Sequence, residues 1–506
     1  MQSPLHNVGG WISRRAAMTG GRLAVIDGEI RLTYAELEAR CARAAGWLRA
    51  QGVGPGDRVA LLLANRSAYL ELVFAAARVG AIAVPINTRL AAPEIAQLLG
   101  DCTPRVLCHE DDLAERLAVA AIPDGTRCAS ASEFEAAAER ATPSAEIQAV
   151  SPDDPMILMY TSGTTGVPKG ALLPHRKTLF NSLNAQLFFE LTGSDRVLTV
   201  VPLFHSFGLK ILAIPALYAG ACVVLERHFD PQRVWDAVGA HGLTVVGGVP
   251  TMFRALLETL EASPAQSVRS ETLRFLFTAG AAIPVDTIRG FEQHGLLLKQ
   301  GFGQTETSIL CCLDAADALR KAGSVGRPVF HAELRIVRTD HVEGPVSAWQ
   351  DCLPGESGEI VVRGPITMLG YWNRPEATAE TLREEGWLRT GDLGSADSEG
   401  FVTLTGRARE MYISGGENVY PAQIEATYHE HPDVLDVAVV GVAHDRWGET
   451  GRAYLVWGPG TPLDPEALGA WGRERLASFK VPAEFVEVAE LPRTASGKVQ
   501  KHLLPV

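Results

Sequence analysis

Apolar and polar residues alternate in short blocks over residues 57–280, and these blocks predict strands and helices in turn. The run DRVALLLAN from Asp57 predicts a short buried strand, SAYLELVFAAARVG an amphipathic helix, and AIAVPIN a second strand. The runs VLTVVPLF, ACVVLE, LTVVGGV and LRFLFTAG are also typical of strands, and PQRVWDAVGAHG and PTMFRALLETL are typical of helices. Because helices between strands cover the faces of a mostly parallel sheet, the pattern predicts an α/β fold.

The pattern changes after residue 355 toward Gly, Glu and short alternating strands such as GEIVVRG and FVTLTG. The charged segment RAREMYISGGENVYP then interrupts it, and we place a hinge near Glu410. Beyond it, roughly a hundred residues of mixed strand and helix are enough for a small domain. We therefore predict a large N-terminal domain of layered mixed sheets and helices over residues 1–409, and a small mobile α+β C-terminal domain over residues 410–506. Residues 130–150, rich in Ala and Glu, predict a solvated connection.

The composition is typical of a folded globular protein, with 46% of the 506 residues apolar and 21% charged. A formal net charge of -13 weakens nucleic acid or an anionic membrane as the main partner. The eight cysteines include no C-x-x-C pair, which indicates neither a disulfide framework nor a zinc site. We find no secretory signal and no apolar run of the ~20 residues that a membrane helix needs. We expect a cytoplasmic protein without a membrane span.

The strongest chemical signal is the segment YTSGTTGVPKG, residues 160–170, directly after the apolar run MILM. Its glycines permit tight turns with converging N–H groups, its hydroxyls add neutral donors and Lys169 adds a positive charge, which together suit phosphate. A surface Gly/Thr loop explains neither the buried strand before it nor the lysine. A kinase-type P-loop needs Gly before its Lys and Ser or Thr after it, whereas Pro168 and Gly170 flank Lys169. The predicted phosphate-binding residues are Thr161, Ser162, Gly163, Thr164, Thr165 and Lys169.

Together with this segment, five further motifs resemble the superfamily of adenylate-forming enzymes: acyl-CoA synthetases, luciferases and the adenylation domains of peptide synthetases. The motifs follow the family's order and spacing over nearly the whole chain. The resemblance implies an acyl-CoA ligase that activates a carboxylic acid with ATP to an acyl-adenylate and pyrophosphate, and then transfers the acyl group to CoA. It implies ATP, Mg²⁺ and coenzyme A as cofactors. The motifs are GFGQTET at 301–307, GSVGRP at 323–328, RTGDLG at 389–394, GRAREMYISGGENVYP at 406–421 and LPRTASGKVQK at 491–501.

Other functions stay open beside this one. The acceptor thiol can be the phosphopantetheine arm of a carrier protein instead of CoA. Alternatively, the enzyme retains only the thioesterification half-reaction. A nucleotide-binding protein without catalysis is a further alternative, which the presence of Glu306 and Lys498 disfavours. A homodimer is also left open.

The resemblance assigns roles to residues of the ATP site. It implies that Thr161 and its loop neighbours hold the β- and γ-phosphates, and that Lys498 binds the α-phosphate and the substrate carboxylate. Glu306 is expected to bind magnesium, because that ion prefers hard oxygen ligands. Catalytic roles are thus expected for Lys498, Thr161 and Glu306. The further expected contacts to ATP or AMP are Gly280, Ala281, Ala282, Gly301, Phe302, Gly303, Thr305, Asp392 and Arg407.

Some of these positions also allow plainer interpretations. Phe302, where the family usually has Tyr, keeps an aromatic face for adenine, but a core Phe fits its residue type nearly as well. Asp392 suits the two ribose hydroxyls with Arg407 in support, and a turn-forming Asp is the alternative. Lys498, in a Gly/Ser turn, would ordinarily be only a solvated lysine.

By the same resemblance, the acyl pocket is expected to be mostly apolar. A lone His beside an apolar strand is more often satisfied by a nearby carbonyl than catalytic, so we predict a pocket role for His205 and no general-base role. The apolar wall favours an uncharged organic tail beyond the carboxylate, and Lys210 leaves a dicarboxylate open. The predicted pocket residues are His205, Phe207, Val249, Thr307 and Ile309.

For the second half-reaction the resemblance implies a domain rotation. The pivot is expected at Glu410, where the family usually carries Asp or Lys. The pair Gly415 and Gly416 suits close approach of the CoA pantetheine arm. Trp447 resembles a position that contacts the CoA base in some relatives, and an ordinary core or surface Trp is an equally good interpretation.

Overall fold

A computed structural model describes residues 2–161, 168–262, 272–280, 283–407, 410–414, 417–444, 447–460, 462–476, 478–494 and 498–504. The chain forms two compact units. The first comprises Met1–Glu333 and Val362–Leu388, and the second comprises Leu334–Val361 and Arg389–Val506.

The helices and strands are numbered in chain order. The α-helices are α1 Trp11–Thr19, α2 Tyr34–Ala50, α3 Ser67–Arg78, α4 Ala92–Cys102, α5 Ala114–Ala118, α6 Ala131–Arg140, α7 His175–Phe189, α8 Ile214–Ala219, α9 Pro231–His241, α10 Pro250–Ala262, α11 Val285–Gln293, α12 Ala315–Ala318, α13 Pro375–Thr381, α14 Pro421–Tyr428 and α15 Pro465–Arg473, and a π-helix covers Phe207–Ala213. The strands are β1 Leu23–Asp27, β2 Ile30–Thr33, β3 Arg58–Leu62, β4 Ile82–Pro85, β5 Val106–His109, β6 Arg127–Ser130, β7 Pro155–Thr161, β8 Lys169–Pro174, β9 Arg196–Thr199, β10 Cys222–Leu225, β11 Val245–Gly248, β12 Phe275–Ala279, β13 Leu298–Gln304, β14 Ser308–Leu313, β15 Arg327–Pro328, β16 Glu333–Val337, β17 Gly358–Arg363, β18 Gly370–Tyr371, β19 Leu388–Ala396, β20 Val402–Arg407, β21 Tyr412–Ser414, β22 Glu417–Val419, β23 Val434–His444, β24 Gly448–Trp457 and β25 Glu484–Glu487.

Two mixed sheets form the first unit. In the described residues one sheet has nine strands in the order β15-β14-β13-β12-β11-β9-β10-β1-β2, and the other has seven in the order β18-β8-β7-β4-β3-β5-β6. The pairs from β13 through β1 are parallel, as are those from β7 through β6. Antiparallel strands complete the edges. Because parallel neighbours direct their carboxyl ends to the same edge, the loops after β9, β11 and β12 meet there.

Continuous apolar runs explain why the central strands are covered on both faces. Strands β4, β5, β10 and β11 are buried along their whole length, as expected for parallel strands between layers of helices. In the nine-stranded sheet, Val246, Leu276 and Leu298 pack in one core with Phe253 of α10 and Phe291 of α11. This packing holds the carboxyl edge of the sheet in place.

Residues 130–150 differ from the prediction, because they begin with helix α6. The Ser130 N–H donates to Glu133 Oε2 at 3.1 Å, and the Glu133 N–H donates to the Ser130 hydroxyl oxygen at 3.3 Å. This is a capping box, which satisfies two N–H groups at the start of a helix. Phe134 and Ala138, one turn apart, are buried. The prediction of a solvated connection was therefore wrong for residues 131–140.

The second unit contains two small sheets. In the described residues their strand orders are β16-β17-β19-β20 and β22-β21-β24-β23, with β25 beside β24. The long antiparallel pair β23 and β24 places Val437 opposite Leu455. These two residues form a core with Ile424 of α14 and Leu468 of α15. This unit is therefore an α+β body with its own apolar interior.

The predicted α/β class, with a large unit of layered mixed sheets and a small α+β unit, is confirmed. The domain boundary placed at residue 410 stays a prediction. In the described ranges, no helix is long and apolar enough to cross a membrane.

Candidate active site

The predicted phosphate-binding segment begins where β7 ends and closes where β8 begins. Thr161 and Lys169 lie opposite each other in this antiparallel pair, and the Thr161 hydroxyl donates to the Lys169 carbonyl oxygen at 3.2 Å. The two ends of the segment are therefore fixed to each other. Its predicted interior positions lie outside the described residues: Ser162, Gly163, Thr164 and Thr165.

Tyr371 connects this segment to Glu306. The Lys169 ammonium lies 5.3 Å from the centroid of the Tyr371 ring, within the range of a cation–π contact. The Tyr371 hydroxyl donates to Glu306 Oε1 at 2.8 Å. Sequence analysis missed Tyr371, whose signal is the segment GYWN at 370–373. Pairing of β18 with β8 places it, because Tyr371 lies opposite Ala171, two residues after Lys169.

Glu306 lies in the tight turn between β13 and β14. Its main-chain oxygen accepts from the Met368 N–H at 2.9 Å. The Thr307 hydroxyl oxygen accepts from the Gln304 N–H at 3.2 Å and closes the turn. Thr307 is fully buried and Thr305 is half-buried. The turn therefore presents the Glu306 carboxylate from a fixed backbone.

Glycines occupy the predicted adenine side of the site. A Cβ on Gly301 would lie 2.6 Å from the Phe277 ring, so close packing requires glycine there. Gly280, with φ +94°, follows β12, and a Cβ on it would lie 3.9 Å from Val249 Cγ1. A predicted adenine position and a predicted acyl position are thus neighbours. The remaining adenine positions are Phe302, half-buried on β13, and Ala281 and Ala282, which lie outside the described residues.

We expect Gly303→Ala to lower the rate of acyl-adenylate formation by about 100-fold, because displacement of a reacting group by about 1 Å has an effect of that size. A Cβ on Gly303 would lie 1.9 Å from the Ser308 carbonyl oxygen, so the turn that carries Glu306 must shift. The measurement is exchange of labelled pyrophosphate into ATP. Gly100→Ala on α4, where no atom lies within 4 Å of the added carbon, is the matched control. Equal activity of the two variants would contradict the prediction.

His205 lies between β9 and the π-helix, and Phe207 is the first residue of the π-helix. The Phe207 ring meets Phe277 edge-on with centroids 5.7 Å apart. His205 Nε2 is buried, and it has no hydrogen-bond partner in the described parts of the chain. Burial, reinforced by the positive charge of Arg89, lowers the pKa of His205 to about 4. The imidazole is therefore neutral at neutral pH. Ile309, on β14, is also buried.

Asp392 and Arg407 form a pair in the second unit. They lie opposite each other on β19 and β20, and Arg407 Nε is 3.0 Å from Asp392 Oδ1. Asp392 is 6% exposed, and its N–H donates to the Thr390 hydroxyl oxygen at 3.1 Å. The arginine stabilises a carboxylate that its strand holds in a fixed place.

The predicted hinge residue Glu410 is bound to a half-buried lysine. Lys501 Nζ lies 2.8 Å from Glu410 Oε2 and 2.7 Å from Glu425 Oε1. Burial lowers the pKa of Lys501, but the charges of Glu425 and Glu410 outweigh it, and the net pKa is raised. Lys501 therefore stays charged and attaches Glu410 to α14.

Two further predicted residues of the second unit lie on its surface. Lys498 is exposed, in a turn where its N–H donates to the Thr494 hydroxyl oxygen at 3.1 Å. Trp447 is 44% exposed, and its N–H donates to His444 Nδ1 at 3.3 Å. Gly415 and Gly416 lie outside the described residues.

Two family models match the chain. The AMP-binding enzyme model matches residues 12–372, and the AMP-binding enzyme C-terminal domain model matches residues 423–498. The chain is 42% identical over 496 residues to a feruloyl-CoA synthase of an Amycolatopsis species, covering 98% of this chain and 97% of that protein. It is 42% identical over 507 residues to the indoleacetate–CoA ligase of Aromatoleum aromaticum, covering 97% of this chain and 96% of that protein. A solved structure of O-succinylbenzoate coenzyme A synthetase from Bacillus subtilis, in complex with ATP and magnesium ion, matches with a TM-score of 0.87 at 33% identity, covering 98% of this chain and 99% of that one.

The chain therefore belongs to the AMP-binding enzyme family, the adenylate-forming superfamily that its motifs resemble. The predicted class, an ATP-dependent and AMP-forming acid–CoA ligase, is confirmed. The predicted use of ATP, Mg²⁺ and CoA is confirmed with it, as is a small-molecule acid as substrate.

Proposed function

We propose that this protein activates an aromatic monocarboxylic acid with ATP to the acyl-adenylate and then transfers the acyl group to CoA. The observation that carries the proposal is the chain of contacts from Thr161 through Lys169 and Tyr371 to Glu306. Three separate segments thereby supply a neutral hydroxyl, a cation and a carboxylate at one place. Attack of a weak carboxylate nucleophile on ATP requires such groups, because charge must be neutralised at the phosphates.

Glu306 fits the role of magnesium ligand. The Tyr371 hydroxyl donates to its Oε1, whereas its Oε2 has no hydrogen-bond partner among the residues that the structure describes. Magnesium usually takes one or two protein carboxylates and completes its coordination with waters and phosphate oxygens, so one available oxygen suits it. When bound, magnesium supplies positive charge to the triphosphate. Tyr371 keeps the carboxylate oriented for that ligand role.

The other residues divide between nucleotide and CoA. Lys169, Thr161 and the loop between them hold the β- and γ-phosphates. Gly280, Ala281, Ala282, Phe302 and their neighbours Gly301, Gly303 and Thr305 form the adenine side. In the second unit Asp392, oriented by Arg407, accepts hydrogen bonds from the ribose hydroxyls. Lys498 binds the α-phosphate and the substrate carboxylate. CoA is bound at Gly415, Gly416 and Trp447. A domain of residues 410–506 rotates relative to residues 1–409 about Glu410.

An aromatic acid suits the predicted acyl residues. Phe207 provides a half-buried ring that the fully buried Phe277 supports edge-on, and His205 is neutral. Aromatic pairs of this kind favour an aromatic ligand. Lys210 is fully buried, and its ammonium donates to the Thr178 hydroxyl, which favours a monocarboxylate over a dicarboxylate. The feruloyl-CoA synthase and the indoleacetate–CoA ligase described above, each 42% identical to this chain, are both named for an acid that carries an aromatic ring.

The test uses the whole protein with ATP, Mg²⁺, CoA and a panel of hydroxycinnamic, arylacetic, benzoic and aliphatic acids. Mass spectrometry measures AMP and the CoA thioester. We expect both products with at least one aromatic acid and neither after addition of a magnesium chelator. Thioesters of aliphatic acids alone would overturn the substrate class. No AMP and no thioester with any acid would overturn the function.

Two further measurements decide between the alternatives. Acyl transfer to CoA is compared with transfer to isolated carrier proteins, and preference for the carrier would replace CoA as the acceptor. Exchange of labelled pyrophosphate into ATP with a good acid would exclude an enzyme limited to thioesterification. The homodimer and the cytoplasmic location stay predictions.

A further inference from the structure

Two lysines are fully buried near the turn that carries Glu306. Lys177 lies on α7 and Lys210 in the π-helix, and both are 0% exposed. In the described part of the chain neither forms an ion pair with a carboxylate; each ammonium donates instead to a hydroxyl. Removing an ammonium from water is unfavourable, and an apolar residue of similar size would fill the space at lower cost. The contacts of these lysines therefore require an explanation.

Lys177 reaches the turn through a serine hydroxyl. Its Nζ donates to Ser308 Oγ. Ser308 is 1% exposed and has φ +61°, a left-handed conformation that a non-glycine residue keeps only where its surroundings hold it. The contact thus anchors the residue at which the chain enters β14, two positions after Glu306.

A second attachment lies one helical turn further along α7. Asn181 Oδ1 accepts from the Ile309 N–H at 3.2 Å, and Asn181 Nδ2 donates to the Lys210 carbonyl oxygen. Residues four apart on a helix share a face, so Lys177 and Asn181 hold consecutive residues of β14. The Lys210 ammonium donates to the Thr178 hydroxyl and connects the π-helix to α7. The side chains of Lys177 and Asn181 thus hold the turn from behind, and the Lys210 ammonium forms no part of that attachment.

Glu306 is the carboxylate that attracts Lys177. Burial and the charge of Lys210 lower the pKa of Lys177, whereas the negative charge of Glu306 opposes this lowering. Tyr371 holds the same carboxylate directly. Lys177 and Tyr371 therefore act on Glu306 from two different elements, α7 and β18.

We propose that Lys177 is a positioning residue for the ATP-dependent half-reaction: through Ser308 it fixes the turn that presents Glu306, and it thereby sets how strongly the site binds magnesium with ATP. Lys177 contacts a protein hydroxyl and acts through it, so it is not a catalytic residue. The inference rests on the proposed role of Glu306 as magnesium ligand.

The test compares the wild-type protein with Lys177→Met, Ser308→Ala and the double variant in ATP–pyrophosphate exchange at increasing free Mg²⁺. Met keeps an unbranched apolar side chain, and Ala removes only the hydroxyl. We expect the Mg²⁺ concentration for half-maximal exchange to rise about tenfold in each single variant, as for residues that orient a metal ligand. The KM for the acid should stay at the wild-type value. The double variant should need no higher Mg²⁺ concentration for half-maximal exchange than the more strongly affected single variant does. Both substitutions remove the same contact, so their effects should not add.

Lys210→Met is the matched control, since it removes an equally buried ammonium whose partner is Thr178. Its magnesium midpoint should stay at the wild-type value. An equal shift in this control, or additive effects of the two single variants, would overturn the inference. If circular dichroism shows that Lys177→Met is unfolded, Ser308→Ala alone decides. An unshifted magnesium midpoint in Ser308→Ala then overturns the inference, and a shifted midpoint supports it. Absence of exchange in the wild type would overturn the proposed function, whereas normal exchange with unshifted midpoints overturns this inference alone.

Discussion

Replacing Glu306 by glutamine is expected to slow acyl-adenylate formation by about 100-fold or more, as for loss of one group that stabilises transition-state charge. Glutamine keeps the shape of the side chain and an oxygen that accepts from the Tyr371 hydroxyl, now 2.8 Å from Oε1. It loses the negative charge and the hard oxygen that magnesium prefers. The measurement is ATP–pyrophosphate exchange with a good acid. High Mg²⁺ should recover part of the rate, because the variant loses affinity for the metal.

Glu258→Gln is the matched control for this experiment. Glu258 is an exposed carboxylate on α10 of the same unit, 3.1 Å from Arg254 one turn earlier. Exposed pairs of this spacing contribute only about 0.3–0.5 kcal/mol, so this variant should keep full activity. A Glu306→Gln protein that exchanges pyrophosphate at the wild-type rate would refute the metal-binding role.

Replacing Lys498 by alanine is expected to separate the two half-reactions. Adenylate formation should fall by about 1,000-fold, or about 4 kcal/mol in activation free energy, because no cation then neutralises the α-phosphate and the attacking carboxylate. Thioester formation from a supplied acyl-adenylate and CoA should stay near the wild-type rate, because thiol attack on the adenylate does not use that charge. Lys498 is exposed, so its loss leaves the fold intact.

Lys480→Ala is the control for the second experiment. Lys480 lies in the same unit, and its exposed ammonium donates to Gln423 Oε1 at 2.8 Å. We expect both half-reactions of this variant at wild-type rates. An equal loss of both half-reactions in a folded Lys498→Ala protein would contradict the role assigned to that lysine.

Local sequence pattern was sufficient for most of the fold. The apolar run from Asp57 gave β3, because burial on both faces requires a continuous apolar segment. The next block gave helix α3, but all of its residues are buried, so the helix predicted to be amphipathic is instead covered on every face. The pattern failed at α6, where an Ala and Glu composition was interpreted as solvated. The capping residues Ser130 and Glu133 carried the signal that was missed.

The candidate site was only partly predictable. Thr161, Lys169 and Glu306 were found because each lies in a short motif. Tyr371 was missed, since its role depends on β18 pairing with β8 at the edge of a sheet. Lys177 was missed because a lysine is ordinarily solvated, and only the packing of α7 against β14 makes it a buried donor to Ser308.

The sequence by itself determined the order of strands and helices and the chemistry of an adenylate-forming ligase, because both depend on residues that are neighbours along the chain. Only the tertiary structure decided that Tyr371 joins Lys169 to Glu306 and that Lys177 supports the same turn from α7. These hydrogen bonds connect residues 65 and 131 positions apart. Contacts over such separations form only when strand pairing and helix packing bring the segments together, and no local pattern encodes them.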